Sequence, residues 1–185
     1  MQLSIRQAVP QDVDLVADIL REAARWLEDR GIAMWRDDEL LSSRIADDVH
    51  SGLFFLAECN GEPVGTIRFQ LDDKLFWPDI RQDDSAFIHR LAVRRLFSGG
   101  DVSSALLLWA IAHTHALGRR YLRLDCEASL PRLRAIYERL GFRFHSNRQV
   151  GSYFVARYEY DVTEISHPLR SPFTRADDRE DRALR

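Results

Sequence analysis

Cysteine is scarce in this chain of 185 residues, and the two present, Cys59 and Cys126, are too few for a disulfide framework and show no metal-ligand spacing. Lysine is scarcer still: Lys74 stands alone, so the positive charge is almost all arginine. The formal net charge of −3 excludes a general nucleic-acid binder, whose domain is usually basic. No apolar run reaches membrane-spanning length, and MQLSIRQAVPQD lacks the charged segment and apolar stretch of an export signal. Internal repeats and low-complexity tracts are missing as well. These absences describe a reduced, cytoplasmic protein with neither a nucleic-acid nor a membrane partner, and with no metal.

What is present is 45% hydrophobic content, enough for one compact domain with a real core over residues 1–162. Residues 163–185 are a charged tail, HPLRSPFTRADDREDRALR in its main part, with too little apolar surface to fold alone. Contact is expected to order it, through Pro168, Leu169, Pro172 and Phe173; a homodimer joined at these residues is one such contact.

Alternation in Leu3 to Ala8 predicts a strand that Pro10 ends, and Asp12 offers a helix start. Helical spacing of Val16, Ile19, Leu20, Ala23 and Leu27 predicts a helix over 13–27, stopped by Gly31. A second helix is expected over 37–50. Asn60-Gly61 between two β-rich runs predicts a hairpin. The segment LDDKLFWPDIRQDD is too irregular for a long element, and its acids, Asp72, Asp73, Asp79, Asp83 and Asp84, read as a charged loop. A last hairpin is expected from Phe142 to His145 and from Tyr153 to Tyr160.

The most informative stretch runs from Ser85 to Phe142. An apolar strand, Ala86 to Val93, leads to Ser98-Gly99-Gly100, and Val102, Ala105, Leu106, Trp109, Ala110 and Leu117 then recur at helical spacing. Tyr121 to Leu124 alternates as a strand, and Leu130 to Leu140 is an amphipathic helix before Gly141. A strand, a glycine turn and a helix N-terminus can hold an anion on free backbone N–H groups. FSGGDVSS is not a G-x-G-x-x-G dinucleotide run.

Leu91-Ala92-Val93 before the turn, the long helix after it, and the run YERLGF from Tyr137 to Phe142 resemble the GNAT superfamily of acyl-CoA-dependent N-acyltransferases. The resemblance implies an α/β fold, a GNAT-like mixed sheet of about seven strands with helices on both faces. It implies transfer of an acetyl group from acetyl-CoA, the co-substrate, to a primary amine of a small molecule by direct attack. A cationic acceptor is expected, because the acidic loop and Glu28-Asp29 would steer one. The resemblance sets the pyrophosphate on Ser98, Gly99, Gly100, Val102, Ser103 and Ser104. The pantetheine arm would lie along Leu91, Ala92 and Val93 like an added strand.

Tyr137 is the expected proton donor to the departing thiolate, since a tyrosine stays protonated at neutral pH. For the base, Asp125 at the end of the strand comes first, with His89, Glu127 and a water chain as alternatives. Strand alternation sets His89 on the same face as a buried Leu91. Trp26, Trp35 and Trp77 are candidates for the acceptor pocket; packing of the helix pair onto the sheet explains the first two equally well. Asp101 adds a negative charge beside the phosphate turn and a carboxylate able to cap the helix. A second reading therefore stands beside the enzyme: a binding or regulatory protein of the same fold with weakened or lost acetyl-CoA binding.

Overall fold

The computed structural model describes residues 3–32, 34–99 and 101–164. The tail beyond residue 164, with its four anchors, lies outside the described residues, as does Gly100. Seven strands form one mixed sheet: β1 (Leu3–Gln7), β2 (Phe54–Cys59), β3 (Glu62–Gln70), β4 (Ser85–Val93), β5 (Tyr121–Glu127), β6 (Arg143–Val150) and β7 (Tyr153–Asp161), in the order β1-β2-β3-β4-β5-β7-β6. Among the described residues four helices accompany them: α1 (Val13–Glu28), α2 (Ser42–His50), α3 (Val102–Ala116) and α4 (Pro131–Arg139). The chain divides into two compact units.

The first unit holds residues 3–68 and 90–106 of the described chain. Its core is the apolar face of α1 (Val16, Ile19, Leu20) and of α2 (Ile45, Val49) with Phe54 and Leu56 of β2, all of them buried. Burial of side chains of this kind contributes about 1.5–3 kcal/mol each. The β2–β3 hairpin turns at Asn60 and Gly61, with φ of 53° and 86°, the left-handed pair that Asn-Gly favours. The helix expected over 37–50 is broken: a 3-10 turn covers Asp37–Leu40, Leu41 is extended (φ −62°, ψ 133°), and α2 begins only at Ser42.

The second unit holds residues 69–89 and the described chain from 107 onward. Here β4 and β5 pair in parallel, from Ser85↔Tyr121 to Ile88↔Leu124, and β7 lies antiparallel between β5 and β6. Trp77, Phe87, Leu122 and Tyr158 are buried in its core. The segment between β3 and β4 has turns and bends but no regular element, as its composition predicts.

Arg90, inside β4, has φ of +50°, a left-handed backbone that a non-glycine residue rarely adopts. Such a residue breaks the two-residue alternation. The expectation of a buried Leu91 fails for this reason: Leu91 is only partly buried, while Ala92 is buried. The Arg90 guanidinium donates to the Glu39 carbonyl at 2.8 Å.

Candidate active site

In the first unit, the packing at Gly65 positions the turn between β4 and α3, where the phosphate site is expected. A Cβ there would lie 3.0 Å from the Ala92 carbonyl oxygen and 3.1 Å from Val102 Cγ1, so only glycine lets β4 and the start of α3 approach β3 this closely. The first intrahelical bond runs from Ala105 N–H to the Asp101 carbonyl at 2.8 Å. The N–H groups of Val102, Ser103 and Ser104 therefore have no partner within the helix. Asp101 is exposed, and its carboxylate caps none of them among the described residues. An added Cβ at Gly99 (φ +78°) would meet nothing within 4 Å, so the turn has open space in front of it. The Ser98 hydroxyl donates to the Arg95 carbonyl at 2.7 Å.

Glu22 of α1 anchors the entry to this turn: it takes the Arg94 guanidinium at 2.8 Å and the Arg95 backbone N–H at 2.6 Å. The Arg95 guanidinium lies over the Trp26 ring at 3.7 Å and that of Arg30 at 4.0 Å. Trp26 is thus a cation–π platform beside the phosphate turn. Trp35, by contrast, lines a cavity of about 320 Å³ with Arg25, Glu28, Ile32, Met34 and Leu40.

In the second unit, Trp77 is fully buried, edge-on to His145 at 5.2 Å and beneath the Arg157 guanidinium at 4.6 Å. It is core, not the wall of an acceptor pocket. Arg157, itself buried, grips Asp79 with two bonds of 2.6 and 2.9 Å, donates to Ser146 Oγ, and donates to the Phe76 carbonyl at 3.1 Å. That grip holds the Asp79 carboxyl down at about 2. Arg123 similarly binds Ser85, Asp84 and Glu159. The charges expected to steer a cationic acceptor are largely paired with arginines: Asp79 with Arg157, Asp83 with Arg81, and Asp84 with Arg123.

Of the two remaining acids of that loop, Asp73 is the unexpected one. Asp73, only 4% exposed, accepts a hydrogen bond from or pairs with His89 Nε2 at 2.9 Å. Its other oxygen accepts the N–H groups of Leu75 (3.2 Å) and Phe76 (3.0 Å). Burial works against its charge, but His89 and these donors outweigh that, and its carboxyl stays below the usual range. The other ring nitrogen, Nδ1, lies 3.5 Å from Asp125 Oδ1. That oxygen is buried and has no hydrogen-bond partner among the described residues. Burial, and then the charge of Asp73, push the Asp125 carboxyl up to about 6, against the pull of His89 and Arg157.

The fold thus brings His89 and Asp125 together and adds Asp73, which sequence reading had counted only as loop charge. No local signal marks it, because its partner is sixteen residues away across an irregular segment. Asp73, His89 and Asp125 each offer an atom within 4.8 Å of the others, a spacing able to accept a cation.

Tyr137 of α4 packs edge-on to Phe142 at 6.1 Å and is 6% exposed. Its hydroxyl makes no hydrogen bond among the described residues. Burial, and then Cys126 and Asp125, raise its pKa well above the usual range for a phenol, so it stays protonated. Burial, then Asp125, likewise push the Cys126 thiol up to about 12, which makes it inert as a nucleophile. Glu127 turns away to accept from the Ser129 hydroxyl at 3.0 Å.

A mixed seven-stranded sheet with a parallel β4–β5 pair and helices between the strands makes this an α/β fold. Residues 16–142 match the Acetyltransferase (GNAT) family, and the chain belongs to that family; it is an acetyl-CoA-dependent N-acetyltransferase. It is 30% identical over 145 residues to the uncharacterized N-acetyltransferase YesJ of Bacillus subtilis (strain 168), covering 74% of this chain and 79% of that one. Among solved structures, a GNAT-family acetyltransferase from Listeria monocytogenes is 25% identical, with a TM-score of 0.72 over 86% of this chain and 94% of that one. The PaiA N-acetyltransferase of Thermoplasma acidophilum, solved with coenzyme A, shares the fold at 18% identity, with a TM-score of 0.69 over 86% of this chain and all of that one. So does yncA of Salmonella typhimurium, solved with acetyl-CoA, at 15% identity and a TM-score of 0.67 over 91% and 98%. No helix among the described residues is long and apolar enough to cross a membrane.

Proposed function

We propose that this enzyme acetylates the primary amine of a small molecule by direct attack, with the His89–Asp125 pair as base and Tyr137 as proton donor to sulfur. The observation that carries this reading is the 3.5 Å approach of His89 Nδ1 to a buried, otherwise unpartnered Asp125 oxygen. Burial raises the Asp125 carboxyl to about 6, so it takes up a proton more readily than an ordinary carboxylate.

Acetyl-CoA supplies the acetyl group as a thioester. The turn fits its pyrophosphate, because Val102, Ser103 and Ser104 keep their N–H groups open, with Ser98 and Gly99 beside them. The backbone of Leu91, Ala92 and Val93 would take the pantetheine arm. His89 and Asp125 take one proton from the attacking amine, its nitrogen bonds the acetyl carbon, and the carbon–sulfur bond breaks. The Tyr137 O–H, which burial keeps protonated, then donates a hydrogen bond to the departing thiolate, and the proton that ends on sulfur is made good from the one His89 and Asp125 took, by way of solvent. Two carboxylates around one imidazole leave an excess of negative charge, which favours an acceptor that arrives as an ammonium and gives one proton to solvent before its neutral nitrogen attacks.

The test is thiol release from acetyl-CoA in the presence of aliphatic monoamines, diamines, polyamines and amino acids. Amine-dependent release, lost in Asp125→Ala and His89→Ala alike, is the expected result. Release that these substitutions leave unchanged would remove both residues from the reaction.

A further inference from the structure

His89 is unusual in having a different carboxylate at each ring nitrogen, and the two are not equivalent. Asp73 is held from four sides: its Oδ1 by the N–H groups of Leu75 and Phe76, its Oδ2 by His89, and its own N–H by Gln82 Oε1 at 2.7 Å. Gln82 is fixed in turn by donating to the Trp77 carbonyl at 2.7 Å. A carboxylate that already accepts two backbone N–H groups is an acceptor only, so the hydrogen between it and His89 belongs to Nε2. Nδ1 is then the atom free to gain and lose a proton, and it faces Asp125.

From this geometry we propose that Asp73 is a positioning residue, which commits His89 to the Nε2–H form so that Nδ1 and Asp125 Oδ1 accept the amine's proton as one unit. The inference rests on the base reading above and extends it to the loop. Around the pair stand Asp73 from the loop and Phe76, with its ring 5.7 Å from the imidazole, and the charges of Arg157 from β7, Cys126 and Tyr137 interact with that of Asp125. After transfer, an imidazolium lies between two carboxylates, which stabilises it. The same three side chains could instead hold a divalent cation, but each ring nitrogen is already turned to its own carboxylate. A chelated ion would need one nitrogen and both acids turned inward together.

Nitrogen-15 NMR of the histidine-labelled wild-type enzyme tests this without any variant. At pH 8 we expect His89 to show a protonated Nε2 and a lone pair on Nδ1. The opposite tautomer would overturn the proposal, and so would a shift of the His89 nitrogens on adding stoichiometric Zn²⁺ or Mn²⁺. Asp73→Asn keeps an oxygen for Leu75 and Phe76 but removes the charge. It should lower kcat at least tenfold with the best primary amine, leave acetyl-CoA affinity within twofold, and move the acidic limb of the pH profile to lower pH. Wild-type turnover and an unshifted limb in Asp73→Asn would overturn the proposal. Running His89→Ala and Asp125→Ala beside it separates the two ideas. If these lose activity and Asp73→Asn does not, only the positioning role falls; if all three keep it, the base reading falls as well.

Discussion

Tyr137 reaches its position because α4 is short and amphipathic and presents one face to Phe142 and Tyr158. Burial of the ring with an unbonded hydroxyl is the state a proton donor needs before its acceptor arrives. Tyr137→Phe removes only that hydroxyl. Turnover should fall by about a hundredfold, in the range general acid catalysis commonly supplies, while acetyl-CoA affinity stays within twofold. Steady-state kinetics and calorimetric titration check the two halves; unchanged turnover with chemistry rate-limiting would end the assignment. Asp101 belongs to the same scale. Its carboxylate neither caps α3 nor is buried, so it acts on a bound pyrophosphate only as an exposed like charge. Asp101→Asn should tighten acetyl-CoA binding by about threefold at low salt, and the gain should vanish near 0.5 M salt as screening sets in. A gain that persisted at high salt would point to shape rather than charge.

The loop from Leu71 to Asp84 has no regular structure, yet two buried arginines, Arg157 and Arg123, bind it. Arg157 reaches it from β7 and binds Asp79 and the Phe76 carbonyl, on either side of Trp77. Asp73 lies just upstream, so the loop's anchor is also the anchor of the His89 contact. Arg157→Met should destabilise the protein by about 2 kcal/mol, less than a fully buried pair because Asp79 is half exposed. It should also lower kcat, and urea unfolding with parallel kinetics would show whether both effects occur. Full activity in a destabilised Arg157→Met would separate the loop from catalysis.

Elements with a clean period were legible in the sequence: α1 was expected over 13–27 and spans Val13–Glu28, and β4 was expected over 86–93 and spans Ser85–Val93. Periodicity does not report a local backbone reversal, so the extended Leu41 that splits the second helix and the left-handed Arg90 that ends alternation in β4 were not visible. Tyr137, Asp125 and His89 could be named from motif and strand position. Asp73 could not, because its meaning comes from a contact through an irregular loop. Trp77 had an aromatic's promise as a pocket wall, and only its burial between Phe87, His145 and Arg157 shows it to be core.

Across the whole chain, the ionisable groups pull stability in opposite directions as pH changes. Asp12, Asp73, Asp79 and Asp161 all have carboxyls held below the usual range, mostly by arginine or histidine partners. Their contribution is present above the ordinary carboxylate pKa of about 4 and is lost as pH falls toward their folded values, near 2 for Asp79. Asp125 has the reverse sign. Its folded value of about 6 means that the folded state prefers it protonated, so it subtracts stability at neutral pH and progressively less as pH falls toward 4. Stability should therefore rise as pH drops from 7.5 to about 5, then decline below 4. Asp125→Asn isolates this contribution: at pH 7.5 it should stabilise the protein by up to about 3 kcal/mol, and near pH 4 by less than about 1 kcal/mol. Urea unfolding at the two values measures the difference directly. The same variant should be impaired in acetyl transfer, so gaining stability and losing activity together would mark Asp125 as a group kept charged and buried for its chemistry. A gain no larger at pH 7.5 than at pH 4 would show that this carboxyl is not raised in the folded protein, and a base working near neutral pH would then have to be His89 alone.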